Sequence, residues 1–216
     1  MSEERFAELQ RFTRRDVSRE TLARIEIFMS EFERWAARIN LASPSTLPHL
    51  WERHVLDSAQ LIAIAPQARR WLDLGSGGGF PGAIVGILMS EHVDGSAVLV
   101  ESNAKKAAFL RTALGLAGAP TQVEQARIET CRAIGRDFDV VTARALAPLR
   151  ELLNLASPWL QRGATALFHK GRDYRREIQQ SRDAWDYDLL EHRSVADPES
   201  VILEIRNLRP KSQKLQ

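Results

Sequence analysis

The 216 residues carry 30 Lys and Arg against 28 Asp and Glu, with 44% hydrophobic residues. That balance sets aside fibrous and disordered classes, and a net charge of +2 does not by itself announce a nucleic-acid partner. A single cysteine, Cys131, leaves no internal disulfide or cysteine-rich zinc site. His49, His54, His92, His169 and His192 show no metal-ligand spacing, so no metal is expected.

The first seventy residues read as helices. Phe6, Leu9 and Phe12 recur at helical spacing between Glu3 and Asp16, and Ser18 opens a second segment with Leu22, Ile25, Phe28, Met29 and Phe32 on one stripe. Residues 41–48, rich in Ser, Thr and Pro, break that helix; Leu50 to Ile64 resumes a helical pattern that Pro66 ends. On this helix Arg53 and Asp57 are spaced for an intrahelical ion pair, while His54 and Ser58 share the neighbouring face. No run of about eighteen apolar residues occurs, and residues 1–17 are too charged for a secretory signal. The expectation is a soluble, cytoplasmic chain with no membrane partner.

The most informative stretch is 71–82, Trp-Leu-Asp-Leu-Gly-Ser-Gly-Gly-Gly-Phe-Pro-Gly. Trp71, Leu72 and Leu74 read as a short buried strand. Gly75, Gly77, Gly78 and Gly79 then strip the turn of side chains so that backbone can approach a ligand closely. Pro81 suits the first position of the following helix, which Ala83, Ile84, Val85, Ile87 and Leu88 continue. Gly77, Gly79 and Gly82 satisfy the dinucleotide spacing, but in the frame that begins at Gly75 the third glycine is replaced by Phe80. Such a loop suits a nucleoside cofactor without a pyrophosphate, and S-adenosylmethionine fits. Ala97 to Val100 form the next apolar strand and end in Glu101, placed to accept hydrogen bonds from both hydroxyls of an adenosine ribose.

Beyond Trp71 the pattern alternates strand and helix, with strands predicted at 71–75, 97–101, 120–124, 138–143, 164–169, 186–195 and 200–206. This implies a doubly wound parallel sheet with ligand groups at the strands' carboxyl ends. The last two strands are joined through residues 194–199 rather than through a helix, which predicts a closing antiparallel hairpin. The fold class read from this is α/β, a Rossmann-like, seven-stranded and mainly parallel sheet with an antiparallel last strand, as in class I S-adenosylmethionine-dependent methyltransferases. Residues 1–66 form a helical extension or cap on a core of 67–216. The predicted strand over 138–143 delivers Arg144 to the active edge, where it can contact a carboxylate, an RNA phosphate or a base edge. Basic residues cluster at Lys105, Lys106 and Arg111, at Lys170, Arg172, Arg175 and Arg176, and at Arg206, Arg209, Lys211 and Lys214. Such clusters can track a phosphate backbone.

Four motifs then fall in one order: Asn40-Leu41, Arg53-His54-Val55-Leu56-Asp57-Ser58, the 73–82 turn, and Arg144-Ala145. The set resembles the GidB/RsmG family of bacterial small-subunit ribosomal RNA N7-guanine methyltransferases. Ala42 and Ala59 stand where related chains often carry Thr and Leu. The resemblance implies transfer of a methyl group from S-adenosylmethionine to N7 of one guanine in 16S ribosomal RNA. It also implies that Gly75, Phe80, Ile128, Glu129 and Arg144 line the cofactor pocket, beside the Gly77 and Glu101 read from the turn itself. Guanine N7 offers a lone pair and holds no proton, so no general base is expected. Arg144 serves by positioning, and Lys170, Arg172, Arg175 and Arg176 are the expected RNA contacts. A dinucleotide-dependent oxidoreductase, a noncatalytic RNA-binding protein, and a methyltransferase acting on another RNA or a small molecule stand as the alternatives.

Overall fold

The computed structural model describes residues 2–133, 135–195 and 197–211; Lys214 lies outside the described residues. Helices α1 (Ser2–Thr13), α2 (Arg19–Ala36) and α3 (Asp57–Ile64) precede a sheet of β1 (Arg70–Leu74), β2 (Ser96–Val100), β3 (Thr121–Glu124), β4 (Val140–Arg144), β5 (Thr165–Lys170), β6 (Trp185–Arg193) and β7 (Val201–Pro210). Between the strands lie α4 (Gly82–Leu88), α5 (Ala104–Leu116), α6 (Leu149–Leu160) and α7 (Tyr174–Ser181). The sheet order is β3-β2-β1-β4-β5-β7-β6, parallel throughout except for β7, which runs antiparallel to both neighbours.

The predicted strands all form. Most ends move by a residue or two, but β7 continues to Pro210 because its outer half pairs with β6, where Trp185 lies opposite Pro210. The antiparallel strand is last in sequence yet sits inside the sheet, with β6 at the edge. Pro81 precedes α4 as its N-cap rather than occupying its first turn.

Central strands covered on both faces should be apolar at every position. Ala97, Val98, Leu99 and Val100 are all buried for that reason. Leu22, Ile25, Phe28, Met29 and Phe32 of α2 pack with α4 and α5 against one face, while α6 packs Leu149, Leu152, Leu153 and Trp159 against the other. Ser18 caps α2 by accepting from the Thr21 N–H.

Residues 51–56 depart from the predicted α-helix. They form one widened, π-type turn that leads directly into α3. The intrahelical Arg53–Asp57 pair does not form: Arg53 lies 3.7 Å from Asp197, and Asp57 faces Arg144 and His169 instead. Among the described residues no helix is long and apolar enough to cross a membrane.

Candidate active site

Three recesses follow one another along the carboxyl ends of the strands. The smallest, about 240 Å³, is lined by Ile128 and Glu129 together with apolar Val100, Ala126 and Leu155. Through Gly75, Ser102 and Leu146 it shares its wall with a middle cavity of about 500 Å³, which also touches Gly77, Phe80, Glu101 and Lys106. His54, Arg144 and Ala145 line both this cavity and a third of about 400 Å³, which reaches Asp57, His169, Lys170 and Asp197.

The glycine turn shapes the middle cavity through two different demands. Gly77 has φ +55, and a Cβ there would meet nothing closer than the Gly75 carbonyl at 3.7 Å; its missing side chain leaves the cavity open. Gly79, at φ +95, is different, because a Cβ would fall 2.7 Å from Phe28 and 3.0 Å from Leu110. Gly79 serves the packing of α2 and α5 on the turn rather than a ligand. Segment 41–43 roofs the turn, with the Leu41 carbonyl 2.6 Å from where a Gly78 Cβ would lie.

Glu101 is fixed at the floor. Its carboxylate accepts from the Gly77 N–H (2.8 Å) and the Asn103 N–H (2.7 Å), which ties the end of β2 to the glycine turn. One bond to each oxygen leaves further lone pairs for a ligand's hydroxyls. Asp73, by contrast, is buried beneath the turn. It accepts from Thr142 Oγ1 (2.7 Å) on β4, and burial raises its carboxyl pKa to about 6 despite hydrogen bonds from Thr142 and Ser76.

At the junction of the middle and third cavities, Phe80 packs edge-on against Phe28 and Phe32 and stacks on the His54 ring, with centroids 4.9 Å apart and planes at 26°. Arg144, delivered by β4 and followed by Ala145 at φ +53, donates to His54 Nδ1 and to the Arg53 carbonyl (3.3 Å). It lies 3.7 Å from Asp57. Burial, with the Arg144 and Arg53 charges, pushes the His54 pKa down to about 3, so the ring is neutral. With Nδ1 accepting, the proton resides on Nε2, which is buried without a partner among the described residues. Asp57 accepts from Gln60 Nε2 (2.6 Å) and Ser194 Oγ (2.7 Å) and lies 3.5 Å from His169 Nε2. One carboxylate thereby joins α3, β4, β5 and the end of β6.

The structure thus brings Gly75, Gly77, Phe80, Glu101, Ile128, Glu129 and Arg144 to the first two cavities. Lys170 lines the third but is nine-tenths buried, 2.5 Å from Glu177, and donates to the Ala147 carbonyl. Arg172 pairs with Glu199 at 2.5 Å, Arg175 lies 3.8 Å from Glu191, and Arg176 is exposed. Sequence reasoning passed over His169 and Asp197. The position of His169 at the carboxyl end of β5 was a legible signal; the arrival of Asp197 from the β6–β7 connection was not.

The family model described as rRNA small subunit methyltransferase G matches residues 21–205. The chain belongs to the GidB family. It is 60% identical over 209 residues to the ribosomal RNA small subunit methyltransferase G of Chelativorans sp. (strain BNC1), covering 97% of this chain and 99% of the relative. With the protein of the same name from Brucella canis it shares 56% identity over 196 residues, 91% of this chain and 92% of that one. Solved structures of class I methyltransferases share the fold at low identity. The O-methyltransferase from Bacillus cereus in complex with SAH aligns with a TM-score of 0.55 at 14% identity, over 83% of this chain and 90% of that one. The ribosomal protein L11 methylase from Lactobacillus delbrueckii subsp. bulgaricus gives 0.52 at 18%, over 69% and 76%. Membership of the GidB family makes the chain a methyltransferase rather than a dinucleotide oxidoreductase.

Proposed function

We propose that this chain transfers the methyl group of S-adenosylmethionine to N7 of one guanine in 16S ribosomal RNA, acting in the cytoplasm on the small subunit or its RNA. The observation that carries the reading is the continuity of the three cavities, with His54 and Arg144 standing where the second meets the third. The name shared by the Chelativorans and Brucella relatives supports the ribosomal RNA acceptor.

The residues fit the cofactor. The recess at Ile128, where Val100, Ala126 and Leu155 meet the polar Ser102 and Glu129, suits an adenine ring with its apolar faces and polar edge, the free lone pairs of Glu101 suit two ribose hydroxyls, and the open side of Gly77 leaves room for the amino-acid portion. S-adenosylmethionine supplies an electrophilic methyl carbon on a sulfonium. Guanine N7 needs no deprotonation to attack it, so the protein's task is placement and exclusion of water. A neutral His54 adds no repulsion beside a sulfonium. Arg144, held by Asp57, orients His54 and presents the remaining guanidinium donors to the substrate. Residues 1–66 act as a cap in this reading, since the π-type turn carries His54 and Asp57 over the sheet edge.

Incubating purified 16S RNA and small subunits with isotopically labelled donor tests the reading. Stoichiometric label at a single guanine is expected; absence of label from both substrates would overturn it.

A further inference from the structure

A fourth recess lies behind the third cavity, on the flank formed by the end of α1, by α3 and by the outer end of β6. It is an open groove of about 760 Å³ whose lining includes Arg11, Arg14 and Arg193. All three are exposed, and none has a carboxylate partner among the described residues. This sets them apart from the 170–176 cluster, where Lys170, Arg172 and Arg175 each face a glutamate. The acidic residue lining the groove, Glu191, already accepts from Tyr174 Oη (2.9 Å) and lies 3.8 Å from Arg175.

Arg14 carries a second signal. It follows the last residue of α1 at φ +53, a conformation that favours glycine, and an arginine held there accepts backbone strain while projecting a cation at the groove. The groove is also placed to matter. Gln60 lines it and donates to Asp57 Oδ1, and Ser194, which donates to the same oxygen, lies between groove-lining Arg193 and Val195. The groove and the cavity that would receive the target base are therefore linked through Gln60, Asp57 and Ser194.

We infer that the groove holds the sugar–phosphate backbone of the RNA beside the target nucleotide, with Arg11, Arg14 and Arg193 as phosphate contacts. This rests on the ribosomal RNA reading above and adds a place to it. A strand lying in the groove needs only to cross the rim at residues 193–195 to turn one nucleotide into the third cavity. Contacts from such cations are sequence-independent and salt-sensitive.

The test is a variant carrying Arg11→Gln, Arg14→Gly and Arg193→Gln, with binding to purified 16S RNA and to purified small subunits measured over a range of salt. Folding is checked by thermal unfolding and donor affinity by calorimetry. The expected result is an unchanged donor affinity, a Tm no lower than the parent's, RNA affinity down by roughly tenfold or more, and a salt slope reduced by about two to three. Parental RNA affinity and slope in a folded variant would overturn the inference. A loss confined to small subunits, with naked RNA bound as before, would overturn it in favour of a protein contact. If the parent binds RNA through a salt-dependent slope but transfers no label to it, the proposed function falls while the slopes still decide the groove.

Discussion

Arg144 donates a hydrogen bond to Nδ1 of His54, across 90 positions of sequence, and that bond fixes which nitrogen of the imidazole carries the proton. Its partner Asp57 holds the guanidinium from the other side at 3.7 Å. Replacement of Arg144 by Lys keeps the charge and loses the planar fork that serves both neighbours. The Arg144→Lys variant should fold, bind donor within a few-fold of the parent, and lose roughly a hundredfold in kcat/KM on ribosomal RNA. Steady-state kinetics with calorimetry separates these quantities, and equal losses of stability and turnover would reduce Arg144 to a structural tie.

Two buried groups predict opposite pH slopes of stability. The folded-state pKa of His54, about 3, lies below its ordinary 6.5, so the unfolded chain binds the proton more readily and acidification through that window destabilises the fold. Asp73 is raised from 3.8 to about 6, so its native state binds the proton more readily, and stability is lost as pH rises from about 4 to 6. Relative to the parent, His54→Gln should therefore gain stability as pH falls from 6.5 toward 4, and Asp73→Asn should lose it. Each difference changes by no more than about 1.4 kcal/mol per pH unit. Urea unfolding at pH 7, 5.5 and 4 reads both signs.

The glycines of the turn should separate binding from folding. Gly77→Ala places a Cβ in the open cavity at φ +55, with an expected strain of about 1 kcal/mol and at least a tenfold loss of donor affinity. Gly79→Ala drives a methyl group against Phe28 and Leu110 instead. It should lower stability by about 2 kcal/mol or more and weaken donor binding only through that loss. Denaturation and calorimetry on the two variants should give opposite rankings.

Lys170 is expected to act as a strut rather than a phosphate contact. Its ammonium is enclosed with Glu177, which also accepts the Leu149 N–H at the start of α6. Lys170→Met should cost about 1–2 kcal/mol, lowering Tm by several degrees, while the salt slope of RNA binding changes by less than one.

Strand positions, the glycine turn, Glu101 and Arg144 were legible because they depend on local chemistry: apolar runs set the strands, and a side-chain-free bend can follow a strand for few reasons. The partners were not. Spacing on a regular helix offers Asp57 to Arg53, yet the widened turn at 51–56 swings Asp57 toward Arg144 and His169, and Arg53 toward Asp197. Those choices follow from tertiary packing around one buried carboxylate. The same limit explains Lys170 and Arg172, cationic in the sequence but matched in the fold by Glu177 and by Glu199. Arg11 and Arg14, unremarked in the sequence, gain a role only when α1 lies beside β6.

Nucleotide-resolution mapping of 16S RNA after incubation with the protein and methyl-labelled S-adenosylmethionine bears most directly on the central claim. The expected product is one guanosine carrying the label on N7, formed by the parent and lost with Arg144→Lys. Label on another atom, label scattered over many guanosines, or none at all would contradict it.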